Sequence, residues 1–516
     1  MPSKHSTASC PAGPPHSRPR ADLLGQQILE TTIRRELTAR DGVYVGLRYG
    51  FGILIGLANM FALTWWIGPH DYGVFVAAIG LSAFLGSLTR AGADTYLVRR
   101  ETPPDGSLYN VATSLIVCVS LGLVLLGMAA VPALVRWYDS REFALPYLTT
   151  LATVPLTGIA GPAIAKLERE LNFRSAAGIE LAGQFLALVV SAFLAWRRMG
   201  VWAPVAGAIA SQTWVAIAAW RAAQIAPRFV WNAREVREML SFGLGYTLSL
   251  RVWQLRSLVN PLLVGRLLGA DAVAFVALAI RIAESLGFIR SAAGRLAVVG
   301  LSRLRTEPER FRAAVQKGLE LQVLTLGPLL CAFAMAAPFV VDTFFGARWK
   351  PAVQVFPWVA LAVLLNSVFN LQASALYVLG KQWSVLWTYC AHILVFGSTA
   401  YLFVSRVGIQ GYGWADLVAC LSYGWLHRKL NQQTRLSYRR TGWWCAAFGL
   451  PLFARIVSSN WNWGLWLPLA VLAITQGKYF FRNSSAEESA AESLSKPWLL
   501  QPDSSPVPHS LELSQP

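Results

Sequence analysis

The chain carries little charge for its length. Charged residues make up 14% of its 516 residues, whereas soluble proteins carry roughly 25%. Hydrophobic residues make up 55%, the mean hydropathy is +0.44, and apolar runs long enough to cross a bilayer recur along the chain. These properties exclude an ordinary soluble enzyme and a disordered protein, and they predict an all-α integral membrane protein.

Signatures of cofactor and metal chemistry are missing as well. The six cysteines form no CxxC pair, histidines do not cluster, and there is no glycine-rich loop of the kind that binds ATP phosphates. Carboxylates do not cluster as acid–base catalysis requires, and the connections between apolar segments are short. We therefore expect no cofactor, no metal and no enzymatic activity, and we expect the function to reside within the helix bundle.

Fourteen apolar segments are predicted to cross the membrane. They cover residues 43–67, 73–97, 109–135, 143–165, 176–196, 201–220, 240–265, 272–297, 319–345, 352–379, 383–404, 409–427, 443–457 and 463–480. The polar, basic N-terminal tail lacks the apolar core and cleavage site of a signal peptide, and its second half has the composition of an amphipathic helix. Residues 483–516 are rich in Ser, Glu and Pro and are expected to be disordered.

Basic residues are unevenly divided between the two sides of the membrane. With the N-terminus inside, the inside loops and tails hold 29 Lys and Arg residues, and the outside loops hold 9. Because cytoplasmic loops are enriched in Lys and Arg, we expect both termini in the cytoplasm. Much of the net charge of +18 is then an orientation signal, and no nucleic-acid partner is expected.

The two halves of the chain share one arrangement. Gly68 and Gly269, 201 residues apart, each open a short outside turn between an odd-numbered and an even-numbered span. Two repeats of six spans, related by an axis along the membrane normal, explain this match. The predicted organisation is a cytoplasmic tail, a first six-helix bundle, a cytoplasmic linker, a second six-helix bundle, an extra helix pair and a second tail: 1–40, 41–220, 221–239, 240–430, 443–480 and 483–516.

The inside and outside counts leave seven of the 45 basic residues, all arginines, and all seven fall in spans one, two, seven and eight: Arg48, Arg90, Arg251, Arg256, Arg281, Arg290 and Arg295. These spans are equivalent pairs in the two predicted repeats. The acids Asp94 and Glu284 accompany them, and the interiors of the other spans are interpreted as free of charge. A charge at the bilayer centre costs roughly 2.5–3.5 kcal/mol on insertion scales, so we predict that these arginines line a central cavity between the bundles.

Six of the arginines are predicted to bind substrate: Arg48, Arg90, Arg251, Arg256, Arg281 and Arg290. Asp94 and Glu284 are the predicted counter-charges, and Asn260 with Pro261 forms a predicted hinge in span seven. Other interpretations stay open. Arg290 and Arg295 lie near the cytoplasmic end of span eight and can snorkel to the interface. The two acids also have the spacing of intrahelical ion pairs with the arginines before them.

A cationic cavity inside a membrane suits an anionic ligand. A guanidinium group binds phosphate through two charge-assisted hydrogen bonds at once. A lipid-linked diphosphate sugar matches this chemistry, since its headgroup is anionic and polar while its tail stays among the membrane lipids.

Three segments resemble a known family. They are the run Lys166–Arg174 (KLERELNFR), the turn Ile67–Gly73 (IGPHDYG) and the turn Leu268–Ala272 (LGADA). They resemble bacterial polysaccharide flippases of the multidrug/oligosaccharidyl-lipid/polysaccharide exporter superfamily. The resemblance implies two six-helix bundles around a cavity. It also implies transport of an undecaprenyl-diphosphate-linked oligosaccharide from the cytoplasmic to the periplasmic leaflet of the bacterial inner membrane.

The resemblance carries further implications. Exopolysaccharide, capsule or O-antigen biosynthesis would use the product, with a polymerase or export machinery as partner. In related lipid flippases, arginines on spans one, two and eight bear on substrate binding, and Arg48, Arg90 and Arg281 occupy the matching spans here. The extra helix pair at 443–480 has no assigned role.

Three alternatives remain beside the flippase. A cation-coupled drug antiporter of the same superfamily would need an excess of buried carboxylates, and this cavity has the opposite sign. A membrane glycosyltransferase or polymerase would need a large outside loop or clustered carboxylates. A structural scramblase or a non-enzymatic subunit of a polysaccharide synthase complex is the third alternative, ranked below the flippase.

We predict that Arg251→Ala and Arg281→Ala each reduce polysaccharide export while the protein still inserts into the membrane, because each removes a mid-span guanidinium. Export measured in a complemented deletion strain, with membrane fractionation beside it, checks this. Wild-type export by both variants would contradict the cavity assignment.

Overall fold

A computed structural model describes residues 50–90, 92–100, 104, 106–225, 228–287 and 300–457. Every regular element in these ranges is helical. The predicted site residues Arg48 and Arg290 lie outside the described residues, as do Arg295, both predicted tails and the fourteenth span. An all-helical membrane fold is confirmed, and the count of fourteen spans stays a prediction.

The described part of the first half forms eight helices. They are α1 (Gly50–Trp66), α2 (Pro69–Thr89), α3 (Ala93–Arg99), α4 (Gly106–Tyr138), α5 (Ala144–Thr150), α6 (Thr153–Arg169), α7 (Phe173–Trp196) and α8 (Trp202–Ala223). Each predicted span from 43–67 to 201–220 coincides with one helix or with a broken pair. The second span is broken at Gly92, whose φ of 82° ends the regular path between α2 and α3.

The second half begins with α9 (Ala233–Gln254), a 3-10 turn (Leu255–Leu258), a π-helical turn (Asn260–Val264), α10 (Gly265–Leu268) and α11 (Ala270–Leu286). A short segment at 300–303, here α12, precedes six further helices. These are α13 (Pro308–Val340), α14 (Lys350–Val378), α15 (Gln382–Val407), α16 (Gln410–Ala419), α17 (Tyr423–Thr434) and α18 (Arg439–Val457).

The helical path of the predicted seventh span changes character around Pro261. The chain leaves α geometry after Gln254 and regains it at Gly265. Proline lacks the backbone N–H that a regular helix needs at this point, and π-turns commonly absorb such a defect. The structure therefore has an irregular helical segment at the position of the predicted hinge.

Seven helical segments in the described part are long and apolar enough to cross a membrane. Burial differs sharply among them. The apolar window of α14 is 72% buried within the protein, whereas that of α7 is 17% buried. A helix that is apolar all round and buried belongs to a bundle core, and one that is apolar and exposed faces lipid. Hence α14 forms the centre of the second half, and α7 lies at the lipid-facing surface.

The two halves pack against each other through α2 and α11. Gly73 on α2 lies directly against the carbonyl group of Ala270, the first residue of α11. Further bonds join the halves near this end: Tyr138 donates its hydroxyl hydrogen to the Pro261 carbonyl at 3.0 Å, and Arg348 donates to the Trp65 carbonyl at 2.6 Å. Small residues allow such close approach of membrane helices, so this contact fixes where the halves meet.

We predict that Gly73→Ala destabilises this contact, because an added Cβ would overlap the Ala270 carbonyl. Overpacking of this kind costs about 1–3 kcal/mol, which thermal unfolding of the purified protein would show as a lower Tm. Gly80→Ala is the matched control on the same helix, since its Cβ would meet the Pro261 side chain at an ordinary 3.6 Å. Equal Tm values for the two variants would contradict the packing.

Candidate functional site

Helix α9 connects the two halves and carries one of the predicted arginines to their boundary. Near its start, Met239 is fully buried in the core of the first half, and Glu235 accepts a hydrogen bond from Arg100 of that half at 3.2 Å. Near its end, Trp253 packs against Tyr389 of α15 in the second half, with ring centroids 4.7 Å apart. Arg251 therefore lies where α9 passes from one half to the other.

Arg251 belongs to a cluster of three charges from both halves. Asp94 on α3 forms an ion pair with Arg90 at the end of α2, with 3.4 Å between Arg90 Nη1 and Asp94 Oδ2. Arg251 lies close enough to interact electrostatically with both residues. The structure thus brings together two predicted substrate-binding arginines and one predicted counter-charge.

Pairing within this cluster is incomplete. Oδ1 of Asp94 and Nε of Arg251 are buried, and neither has a hydrogen-bond partner among the described residues. Arg251 donates from Nη1 to the side-chain oxygen of Gln254 at 3.1 Å. Buried polar groups are nearly always hydrogen-bonded, so the unpartnered Nε–H of Arg251 leaves donor capacity that an added anion would use.

Arg281 on α11 lies against the glycine-lined face of α1. A Cβ on Gly56 would come within 3.1 Å of the Arg281 guanidinium, and a Cβ on Gly52 within 3.1 Å of the Gln184 side chain. Residues 52, 56 and 59 share a helix face by their spacing, and Oδ1 of Asn59 is buried without a partner in the described part. A polar face therefore continues along α1 beside Arg281.

The depth of Arg281 follows from its place on α11. It lies eleven residues after the first residue of the helix, or about 16 Å along the axis at about 1.5 Å per residue. That is about half of a hydrocarbon core of about 30 Å. Glu284 lies one turn further and is exposed, and no ion pair joins it to Arg281 in the described part of the chain.

Arg256 has a different environment. Its guanidinium donates to Asp416 on α16 at 2.6 Å, and the Asp416 side chain is only 2% exposed. The faces of Trp253 and Phe396 cover the guanidinium at 5.6 Å each. Arg256 is therefore held inside the second half, apart from the cluster of Arg90 and Arg251.

Asp416 corrects the interpretation of the later spans as free of charge. It lies well inside the predicted span 409–427, in an interior predicted to be free of charge. Its only sequence signal is an acid inside an otherwise apolar run. His392 lies nearby, fully buried, with Nδ1 at 3.0 Å from the Ala419 carbonyl oxygen and its ring stacked on Tyr423.

The predicted hinge residues hold the irregular segment in place. Asn260 donates from Nδ2 to the Val273 carbonyl at 3.2 Å, and the Pro261 carbonyl accepts from Tyr138. Both bonds tie the π-helical turn to its neighbours. The hinge role itself stays a prediction.

The chain is similar in sequence to known proteins of polysaccharide biosynthesis. A family model described as "Polysaccharide biosynthesis protein" matches residues 63–354. A candidate O-antigen transporter of Shigella flexneri is 21% identical over 417 residues, which cover 76% of this chain and 98% of that protein.

Two solved structures share the fold. The lipid II flippase MurJ in an inward closed conformation superposes with a TM-score of 0.67 at 11% identity, covering 86% of this chain and 99% of that one. An inward-facing multidrug transporter of the MATE family superposes with a TM-score of 0.57 at 16% identity, covering 75% and 96%. At these identities the likeness shows the fold alone.

We predict that Arg256→Ala and Asp416→Ala each destabilise the protein strongly, because each leaves an unpaired charge in the interior. The loss is about 3–5 kcal/mol when one member of a buried pair is removed, and it is measured as a fall in Tm. The double variant Arg256→Leu/Asp416→Leu removes both charges and is expected to recover much of that stability. A double variant less stable than either single variant would contradict a structural pairing.

Proposed function

The chain belongs to the family of polysaccharide biosynthesis proteins, and on that premise we propose that it is a flippase for lipid-linked oligosaccharides. It moves an undecaprenyl-diphosphate-linked oligosaccharide from the cytoplasmic to the periplasmic leaflet of the bacterial inner membrane. The product feeds polysaccharide synthesis, and a polymerase or export machinery is the partner that takes it up.

The observation that carries this proposal is the cluster of Arg90, Asp94 and Arg251. Its guanidinium groups come from different halves of the protein: Arg90 pairs with Asp94, and Arg251 lies near both, with its Nε unpartnered among the described residues. A diphosphate offers more oxygen atoms and more negative charge than a single carboxylate, and it can bridge two guanidinium groups. The cluster therefore matches the headgroup of the cargo.

A route for the headgroup continues from the cluster toward the middle of the membrane. Arg281 lies at about half the bilayer depth, beside the glycine-lined face of α1. Glycine at positions 52 and 56 keeps that face open to polar groups, while the polyprenyl tail remains in lipid. Motion of one half against the other at the α2–α11 contact would expose this route to each side in turn.

The energy for net outward movement would come from the membrane potential or from an ion gradient. No ATP-binding loop occurs in the sequence. An inside-negative potential favours outward movement of an anion by about 2.3 kcal/mol per charge per 100 mV. Both termini are placed in the cytoplasm on the Lys and Arg distribution, and no catalytic step on the cargo is proposed.

A drug antiporter is the second candidate, because the same fold serves multidrug transporters. An organic cation needs carboxylates in excess at the binding site. Within the proposed cluster, the two arginines Arg90 and Arg251 outnumber the single carboxylate of Asp94. The sign of the charge therefore favours the anionic cargo.

The test is flipping by the purified protein alone in proteoliposomes that contain a fluorescent polyprenyl-diphosphate oligosaccharide. We expect Arg251→Ala and Arg281→Ala to lower the rate by at least about tenfold, since a lost charge-assisted hydrogen bond costs about 1.5–3 kcal/mol. Arg251→Lys and Arg281→Lys are expected to retain part of the rate, because a point charge replaces a bidentate group.

Arg266→Ala is the matched control, since Arg266 is exposed on α10 and outside the cluster. Flipping by both alanine variants at the wild-type rate would contradict the site. If the pure wild-type chain does not flip the lipid, and flipping appears only when other synthase components are added, the protein is better explained as a subunit of a synthase complex. Transport of organic cations in place of the lipid would favour the antiporter.

A further inference from the structure

We propose that Asp94 is a tethered competitor of the cargo diphosphate. In this scheme its carboxylate pairs with Arg90, beside Arg251, while no cargo is bound. It leaves Arg90 when the diphosphate arrives and returns to it to promote release. Asp94 is thus a positioning residue that acts through the two arginines. The inference rests on the proposed function and adds a release step to it.

The first support is the loose geometry of the pair. The distance of 3.4 Å between Arg90 Nη1 and Asp94 Oδ2 exceeds the roughly 2.7–2.9 Å of a strong charge-assisted hydrogen bond. Arg256 and Asp416, at 2.6 Å, show what a tight pair looks like in the same protein. A loose pair is displaced by a better anion at a small cost, and a tight one is not.

The second support is the place of the pair in the backbone. Arg90 caps the end of α2, and Asp94 lies on α3, a separate helical piece. Gly92 joins them in a left-handed conformation with a φ of 82°. Because the two side chains do not share one continuous helix, a change at this joint alters their separation, which a regular i,i+4 pair does not allow.

The third support is the pocket around the unsatisfied oxygen. Oδ1 of Asp94 has no partner in the described part of the chain, and it faces the backbone of α6 at Gly161. A Cβ at Gly161 would come within 2.7 Å of that oxygen. The absent side chain leaves room for the carboxylate without giving it a hydrogen bond, so this position is sterically permitted and weakly held.

Release needs such a device because two guanidinium groups without a competitor would retain a diphosphate. A transport site must bind strongly enough to load and weakly enough to unload. A carboxylate fixed a few residues from Arg90 has a high effective concentration and is always present to recapture that arginine. It therefore lowers affinity for the cargo and speeds its departure.

The experiment measures binding of inorganic pyrophosphate to the purified full-length protein by calorimetry. Asp94→Asn is expected to bind pyrophosphate about tenfold more tightly than wild type, and to flip the lipid more slowly at saturating cargo. Gly161→Ala keeps every charge but takes the place of the carboxylate oxygen, and it is expected to tighten binding in the same direction. A merely structural role for Asp94 would not raise affinity while lowering turnover.

Glu168→Gln is the charge-matched control, because Glu168 is exposed and close enough to Asp94 to interact electrostatically. It removes the same charge from the neighbourhood and is expected to change pyrophosphate affinity less than twofold. Unchanged or weaker binding by Asp94→Asn would overturn the inference, and so would equal tightening by Glu168→Gln.

Failure of this inference is distinguishable from failure of the proposed function. Loss of flipping in Arg251→Ala together with unchanged pyrophosphate binding in Asp94→Asn would overturn the competitor role of Asp94 and support the flippase function. Lipid flipping at the wild-type rate by Arg251→Ala and Arg281→Ala would overturn both the proposed site and the competitor role of Asp94.

Discussion

The structure depends on one constraint, which is that a guanidinium group inside a bilayer needs a partner. Insertion of an arginine costs several kcal/mol unless a cavity, an acid or a polar face receives it. The protein meets this constraint in two ways. Arg256 is paired tightly with the buried Asp416, whereas Arg90 is paired loosely with Asp94 and Arg251 lies near both. The first arrangement holds a helix in place, and the second has the charge that the proposed cargo would use.

The same division organises the helices. The tight pair anchors the irregular end of α9 to the second half, while the beginning of α9 is buried in the first half through Met239. Arg251 lies between these anchors, so its distance from Arg90 depends on how the halves are oriented. A binding site built from both halves senses their relative position, and this is the physical basis on which alternating access operates in two-bundle transporters.

The shared fold does not determine which substrate is transported. The fold is shared by a lipid II flippase and by a multidrug transporter, so it does not choose between an anionic lipid and a cationic drug. We attribute the choice to the cluster at the boundary between the halves, in which two arginines, Arg90 and Arg251, accompany one carboxylate, Asp94. Electrostatic sign is the property that the shared helical scaffold leaves free to vary.

Sequence alone determined the all-helical membrane fold, because long apolar runs and sparse charge need no knowledge of contacts to be interpreted. It also placed the arginines on four spans and the irregular segment near Pro261. Only the tertiary structure decided which charges meet. Arg256 and Asp416 are 160 residues apart, and Arg251 comes near Asp94 from the opposite half. Pairing across such separations is set by helix packing, which local periodicity does not encode.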